Sequence, residues 1–99
     1  MTAKTFDLAG YVTTMFVKPG VVINRKEDFI KWAKSMGWQK VSLNERPDYL
    51  ITSSVSLYKS IKAKNKGIPI LTYKEALKLI VMSSKILLIK QYSYGEKNV

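Results

Sequence analysis

Neither cysteine nor histidine occurs in this sequence, and only seven of its 99 residues are acidic. Without cysteine there is no disulfide scaffold and no thiolate metal site, and nothing ties the chain to an oxidising compartment. Without histidine the commonest general base, the usual partner of a nucleophilic serine and the commonest zinc ligand are missing. The carboxylates that remain are Asp7, Glu27, Asp28, Glu45, Asp48, Glu75 and Glu96. No G-x-G-x-x-G, Walker, zinc or nucleophile-elbow motif occurs, so neither a cofactor nor a metal is expected, and the chain reads as a non-enzyme. Long apolar runs are lacking as well: stretches such as Leu79 to Met82 are far too short to cross a bilayer. Met1 to Gly10 has neither the basic start nor the apolar run of a signal peptide. The expectation is a soluble intracellular protein of the cytoplasm, nucleoid or nucleus, neither secreted nor bound to a membrane.

Lysine and aromatic residues are plentiful. Seventeen Lys and Arg against seven acids give a formal charge of +10, a balance that favours anionic partners such as nucleic acid or a phosphorylated or acidic protein. A solvated lysine surface in a lysine-biased proteome accounts equally well for that charge. The 46% hydrophobic content suits one globular domain, with Trp32, Trp38, Phe6, Phe16, Phe29 and six tyrosines available to its core.

The element order is legible from periodicity and punctuation. Tyr11 to Val17 is rich in β-branched and aromatic residues, is closed by Pro19-Gly20, and reads as the first strand. Asn24 offers an N-cap with Glu27 three residues on, and Phe29, Ile30, Ala33 and Met36 follow at helical spacing up to Gly37. Trp38 to Leu43 is a short second strand, and Tyr49 to Thr52 is an apolar run of the doubly buried kind. Ser53, Ser54 and Ser56 offer caps for a second helix carrying Leu57, Tyr58 and Ile61 inward and ending at Gly67. Ile68 to Leu71 is a fourth strand, placed at an edge by Pro69. Thr72 to Glu75 is a capping box opening a third helix with Leu77, Ile80 and Val81 on one face. The fold class is therefore α/β, β-α-β-β-α-β-α, with a mostly parallel sheet covered on both faces. One domain is expected over residues 1–81, its core at 10–81, followed by a C-terminal extension at 82–99 in which Ile86 to Ile89 extends the helix or adds a strand.

This order, together with residues at fixed offsets, resembles the BRCT domain, and most closely the single bacterial type found in NAD-dependent DNA ligases and in replication factor C. The resemblance is carried by Tyr11 to Thr14, by Met36-Gly37, by Pro47-Asp48-Tyr49-Leu50-Ile51-Thr52, and by Lys59, Lys62-Ala63 and Gly67-Ile68-Pro69-Ile70-Leu71. It spans residues 10–80, and its last two stretches are the most specific. It implies a four-stranded parallel sheet with two helices on one face and one on the other. It also implies a phosphate pocket in which a hydroxyl and the following amide bind from one side and a lysine from the other. Carried over, these are Thr14, the Met15 amide and Lys59. The chain departs from the family in having Met15 where glycine is usual, and in having no aromatic after Tyr73 on the third helix, so that Tyr73, Trp38 or C-terminal residues must fill that core.

Lys59, Lys62 and Lys66 recur at i, i+3 and i+7 with no acid between them, a stripe that can follow a phosphate backbone or simply be a solvated helix face. Arg25 and Lys26 open the first helix, where they oppose its dipole, and are candidate DNA contacts. Together these features imply a non-catalytic module of DNA repair or replication that binds DNA near a 5′-phosphate. Two alternatives stay open. One is a protein-docking domain that binds phosphopeptides, dimerises, or engages a ligase, replication or repair factor, with Ile86 to Tyr94 as a candidate surface. The other is a fragment of an NAD-dependent DNA ligase.

Overall fold

The computed structural model describes residues 4–83. Four strands form a wholly parallel sheet in the order β4-β1-β5-β6: Gln39–Lys40, Thr5–Ala9, Tyr49–Thr52 and Ile70–Leu71. The central strand β1 is not the one its composition suggests. Tyr11 to Val17 does not enter this sheet: residues 11–14 are irregular, and β2 (Met15–Lys18) pairs with β3 (Val21–Ile23) in a separate antiparallel hairpin. Sheet pairing goes instead to Thr5–Ala9, which aligns Phe6 to Ala9 with Tyr49 to Thr52. Phe6 and Leu8 fill the core on one face of that strand, while Ala9 packs on the other. Burial on both faces outweighs a strand propensity lowered by an aspartate. Buried residues accordingly occur from Phe6 onward, ahead of residue 10, and all but the first two residues of the 82–99 extension, Ile86 to Tyr94 among them, lie outside the described residues.

Three helices cover the sheet: α1 (Lys26–Ser35), α2 (Tyr58–Asn65) and α3, which is described over 73–83. Two of them share a face. Phe29 and Ala33 of α1 and Tyr73, Ala76 and Ile80 of α3 pack with Phe6, Leu8, Ile51 and Trp38, and the hairpin adds Met15 and Ile23. Phe29 is the hub of this cluster, edge-on to Phe6 at 5.9 Å and to Tyr73 at 5.4 Å between ring centroids. Tyr73 and Trp38 are both buried in this cluster. The other face is smaller: Ala9, Leu43, Leu50 and Ile68 close over Ala63 of α2.

The helix termini follow their local chemistry only in part. The capping box of α3 forms as expected, Thr72 N–H donating to Glu75 Oε1 at 2.9 Å and Glu75 N–H to Thr72 Oγ1 at 3.1 Å. The Thr72 backbone N–H first, and the Thr72 hydroxyl second, hold the Glu75 carboxyl below its ordinary range. At α1 the N-cap is Arg25 rather than Asn24, with no side-chain cap, and Glu27 and Asp28 in the first turn complement the dipole instead. At α2 the N-cap is Leu57, and the helix buries Ser60 and Ala63 while Tyr58 and Ile61 face outward, the reverse of the orientation expected from apolarity.

Tyr73 spans the core from α3 to β1, its hydroxyl donating to Ala9 O at 3.2 Å. Burial, and secondarily the nearby Asp7 carboxylate, push its pKa up to about 12. The folded state therefore binds this proton more tightly than the unfolded chain does. Stability from Tyr73 is complete below pH ~10, the unfolded value, and is lost as pH rises toward the folded one. Urea denaturation across this range is expected to show that loss in the wild type and its absence in Tyr73→Phe; parallel curves would contradict it.

Candidate functional site

Ligands of open parallel sheets gather outside the carboxyl ends of the strands, where successive connections diverge to opposite sides. In the order β4-β1-β5-β6 that point lies between β1 and β5. The two strand ends are stitched together there: Ser53 N–H reaches Ala9 O at 3.4 Å, and Tyr11 N–H donates to Ser53 Oγ at 3.0 Å. Gly10 makes the turn between them with φ +73°, and a Cβ at this position would collide with Ser53 Oγ and press Leu57 Cδ1.

The serines expected to cap α2 knit the loop before it. Thr52 Oγ1 donates to Ser54 O at 2.9 Å and accepts from Ser54 N–H at 3.1 Å. Ser60 Oγ donates to Ser54 O at 2.7 Å, and the Ser54 and Ser56 hydroxyls lie 2.8 Å apart. Hydroxyls satisfied within the loop are not free to cap the helix that follows it.

Below this edge, Asp7 places a buried carboxylate on the central strand, and two cations reach it. Lys40 Nζ from β4 lies 3.3 Å from Oδ1, and Lys59 Nζ from α2 lies 3.3 Å from Oδ2 and 3.1 Å from Leu8 O. Leu8 N–H also donates to Asp7 Oδ1 at 2.8 Å. Lys59 is thus engaged by the fold, although about half of its side chain, 46%, remains open to solvent.

The structure distributes the sequence-derived site residues over three places. Thr14 is exposed ahead of the hairpin, whereas the Met15 side chain is buried in the core, only 3% exposed. Neither stands at the end of β1; Ala9 and Gly10 stand there, with the Ser53 hydroxyl beside them. Lys59 sits on Asp7. Lys62 is half-buried with its ammonium 5.2 Å over the Tyr58 ring, and Lys66 is exposed at the C-cap of α2, so the stripe is divided by environment. Arg25 and Lys26 are brought together: with Gly10, Tyr11, Val12 and Asn24 they line a shallow recess of about 490 Å³ beside the end of β1.

A second recess, of about 440 Å³, lies past β5 and β6 among Thr52, Ser53, Ser54, Val55, Ile70, Thr72 and Glu75. Charge separates the two. The Glu75 carboxylate, kept ionised by its capping bonds, repels an anion from the second recess, whereas two cations and no carboxylate line the first. Among the described residues no cluster of His, Cys, Asp or Glu is placed to hold a metal ion, and no helix is long and apolar enough to cross a membrane. Asp7, Gly10, Tyr11 and Ser53 are the residues that sequence reasoning passed over. Their signal was the alternation Phe6-Asp7-Leu8 followed by glycine, a period-two pattern too short to compete with the β-rich run after it. No family model, no curated protein and no solved structure matches the chain.

The ion-pair geometry carries an asymmetric prediction. Asp7 is buried, whereas Lys40 and Lys59 retain access to water, so the costly variant is the one that strands the carboxylate. Lys40→Met/Lys59→Met is expected to destabilise the fold by ~3–5 kcal/mol. Asp7→Asn, which releases two ammonium groups that can turn to solvent, is expected to cost ~1–2 kcal/mol. Urea unfolding of both variants checks this, and the reverse order would refute the assignment of Asp7 as the buried member.

Proposed function

We propose that this chain is a BRCT-type, non-catalytic binding module that engages DNA near a phosphorylated end, at the carboxyl edge of the sheet. The observation that carries the reading is how the charges are distributed. Four of the seven carboxylates are committed to internal partners: Asp7 to two lysines, Asp48 to Thr5, Glu45 to Ser42 and Glu75 to Thr72. Among the described residues the only ion pairs are the two on Asp7. Lysines 62, 64 and 66 lie on or beside a helix without a carboxylate, and the Arg25–Lys26 pair faces the recess at the N-terminus of α1 with Glu27 and Asp28 following it in the first turn; the lysines of α2 have the footprint of a phosphate-backbone binder.

In this reading the recess beside Gly10 receives the phosphate, between Arg25 and Lys26, with α1 opening onto it. The sheet order, with two helices on one face and one on the other, supports the family resemblance. So does glycine at the end of β1. Thr14 has no part in this recess; Ser53 Oγ supports its rim by accepting from Tyr11 N–H, and Lys59 lies on α2, joined to the same strand through Asp7.

One observation favours a second reading, docking of a protein partner such as a ligase, replication or repair factor. Val55 is 73% and Ile61 50% exposed, and both line a groove with Ile68, Pro69 and Ile70 along the edge strand β6.

A titration across a salt series separates the two readings, using a duplex with a recessed 5′-phosphate and the same duplex ending in a 5′-hydroxyl. The phosphorylated end is expected to bind more tightly, with affinity falling steeply as salt rises. Arg25→Gln and Lys26→Gln are each expected to reduce the slope of log K against log salt by about 0.9, and Thr14→Ala to leave affinity unchanged. Equal binding of both ends, unaffected by these variants, would remove end recognition; no binding at moderate salt would leave protein docking.

A further inference from the structure

The recess beside β1 has one wall that phosphate binding does not require. Tyr11 is 89% exposed, yet its backbone is anchored on the N-terminal side, by the Gly10 turn and by the bond from its N–H to Ser53 Oγ. A single exposed tyrosine on a loop is ordinary. This one is set at the mouth of a pocket whose other walls are Val12, Asn24, Arg25 and Lys26, none of them acidic. The β2–β3 hairpin rises from the same rim, between Val12 and Asn24, and carries exposed Phe16 and Val22 as cross-strand partners, 78% and 44% open. Bare aromatic rings among cations are the composition of a surface that stacks bases and holds the phosphates between them.

We propose that this recess takes an unpaired nucleotide, its base stacked on Tyr11 and its flanking phosphates held by Arg25 and Lys26. This rests on the DNA-binding reading above and adds to it a seat for one base of the single-stranded extension that a recessed end carries. The reason is steric. Inside a duplex each base covers the faces of its neighbours and offers only its edges, so away from the terminal pair a ring on the protein can stack only on a base that has left the helix. A recess of about 490 Å³ open to solvent is within the range of small-ligand sites and needs no rearrangement to admit one base. Asn24 adds a side-chain amide able to donate to or accept from a base edge.

The test uses the full chain and fluorescence anisotropy with two labelled DNAs, a duplex bearing a short single-stranded extension and the same duplex blunt. The wild type is expected to prefer the extended DNA. Tyr11→Ala is expected to lose on the order of 5- to 150-fold for it, the equivalent of one base–aromatic stack, with blunt-duplex binding and the salt slope unchanged. Tyr11→Phe, which keeps the ring, retains the preference. Tyr11 is so exposed that neither change threatens folding. If Tyr11→Ala binds both DNAs as the wild type does while Arg25→Gln/Lys26→Gln weakens both, the base site is overturned and the DNA-binding reading stands. If the wild type binds neither DNA at low salt, both fall.

Discussion

Asp7 lies at the centre of the central strand, and a carboxylate withdrawn from water there is tolerable only if cations and N–H groups replace the lost hydration. Lys40 from β4, Lys59 from α2 and the Leu8 amide meet that need at 2.8–3.3 Å. One side chain thereby joins three elements, and the neighbouring Ala9 carbonyl brings in a fourth through the Tyr73 hydroxyl of α3. The rotation of α2 follows from this. With Lys59 turned toward the strand and Ser60 and Ala63 packed beneath, Tyr58 and Ile61 can only face outward. An apolar ranking of α2 would place them inward, but the ion pair and the serine network are more demanding than the burial of two side chains.

The same economy shapes the surface. Carboxylates are scarce, and most of those described are occupied as caps or internal acceptors, so the cations outside are left to act on whatever approaches. Where the sheet opens at its carboxyl edge, a glycine turn, Tyr11 and an arginine–lysine pair surround one recess, while the serine hydroxyls and a capping glutamate line another. Discrimination between the two recesses needs no special chemistry; it follows from which of them contains the carboxylate.

Much of this fold was legible in the sequence where local signals and burial agree. Tyr49 to Thr52 is a strand with the expected limits, because a β-rich apolar run buried on both faces has no competing reading. The α3 capping box, the glycine after α1 and the edge position of β6 were likewise set by residues that have one use each. The first strand was not legible. Thr5–Ala9 is short and contains an aspartate, and only the lysines from β4 and α2, distant in sequence, make that aspartate acceptable. Tyr11 to Val17 has the stronger propensity, but its residues are divided between an irregular turn and a hairpin. That single displacement carried the expected phosphate contacts to Thr14 and Met15, one exposed and away from the strand end, the other buried. Arg25 and Lys26, chosen because basic residues oppose a helix dipole, did reach a common recess.

The central claim is that an anionic strand is received at the carboxyl edge between β1 and β5, on the side of Arg25 and Lys26. Mapping backbone amide chemical shifts during titration with a 5′-phosphorylated oligonucleotide tests it most directly. The account predicts the largest shifts at Gly10, Tyr11, Asn24 to Lys26 and Ser53, with smaller ones along α2. Shifts confined to Val55, Ile61 and Ile68 to Ile70, or spread evenly over the lysines of every face, would contradict it.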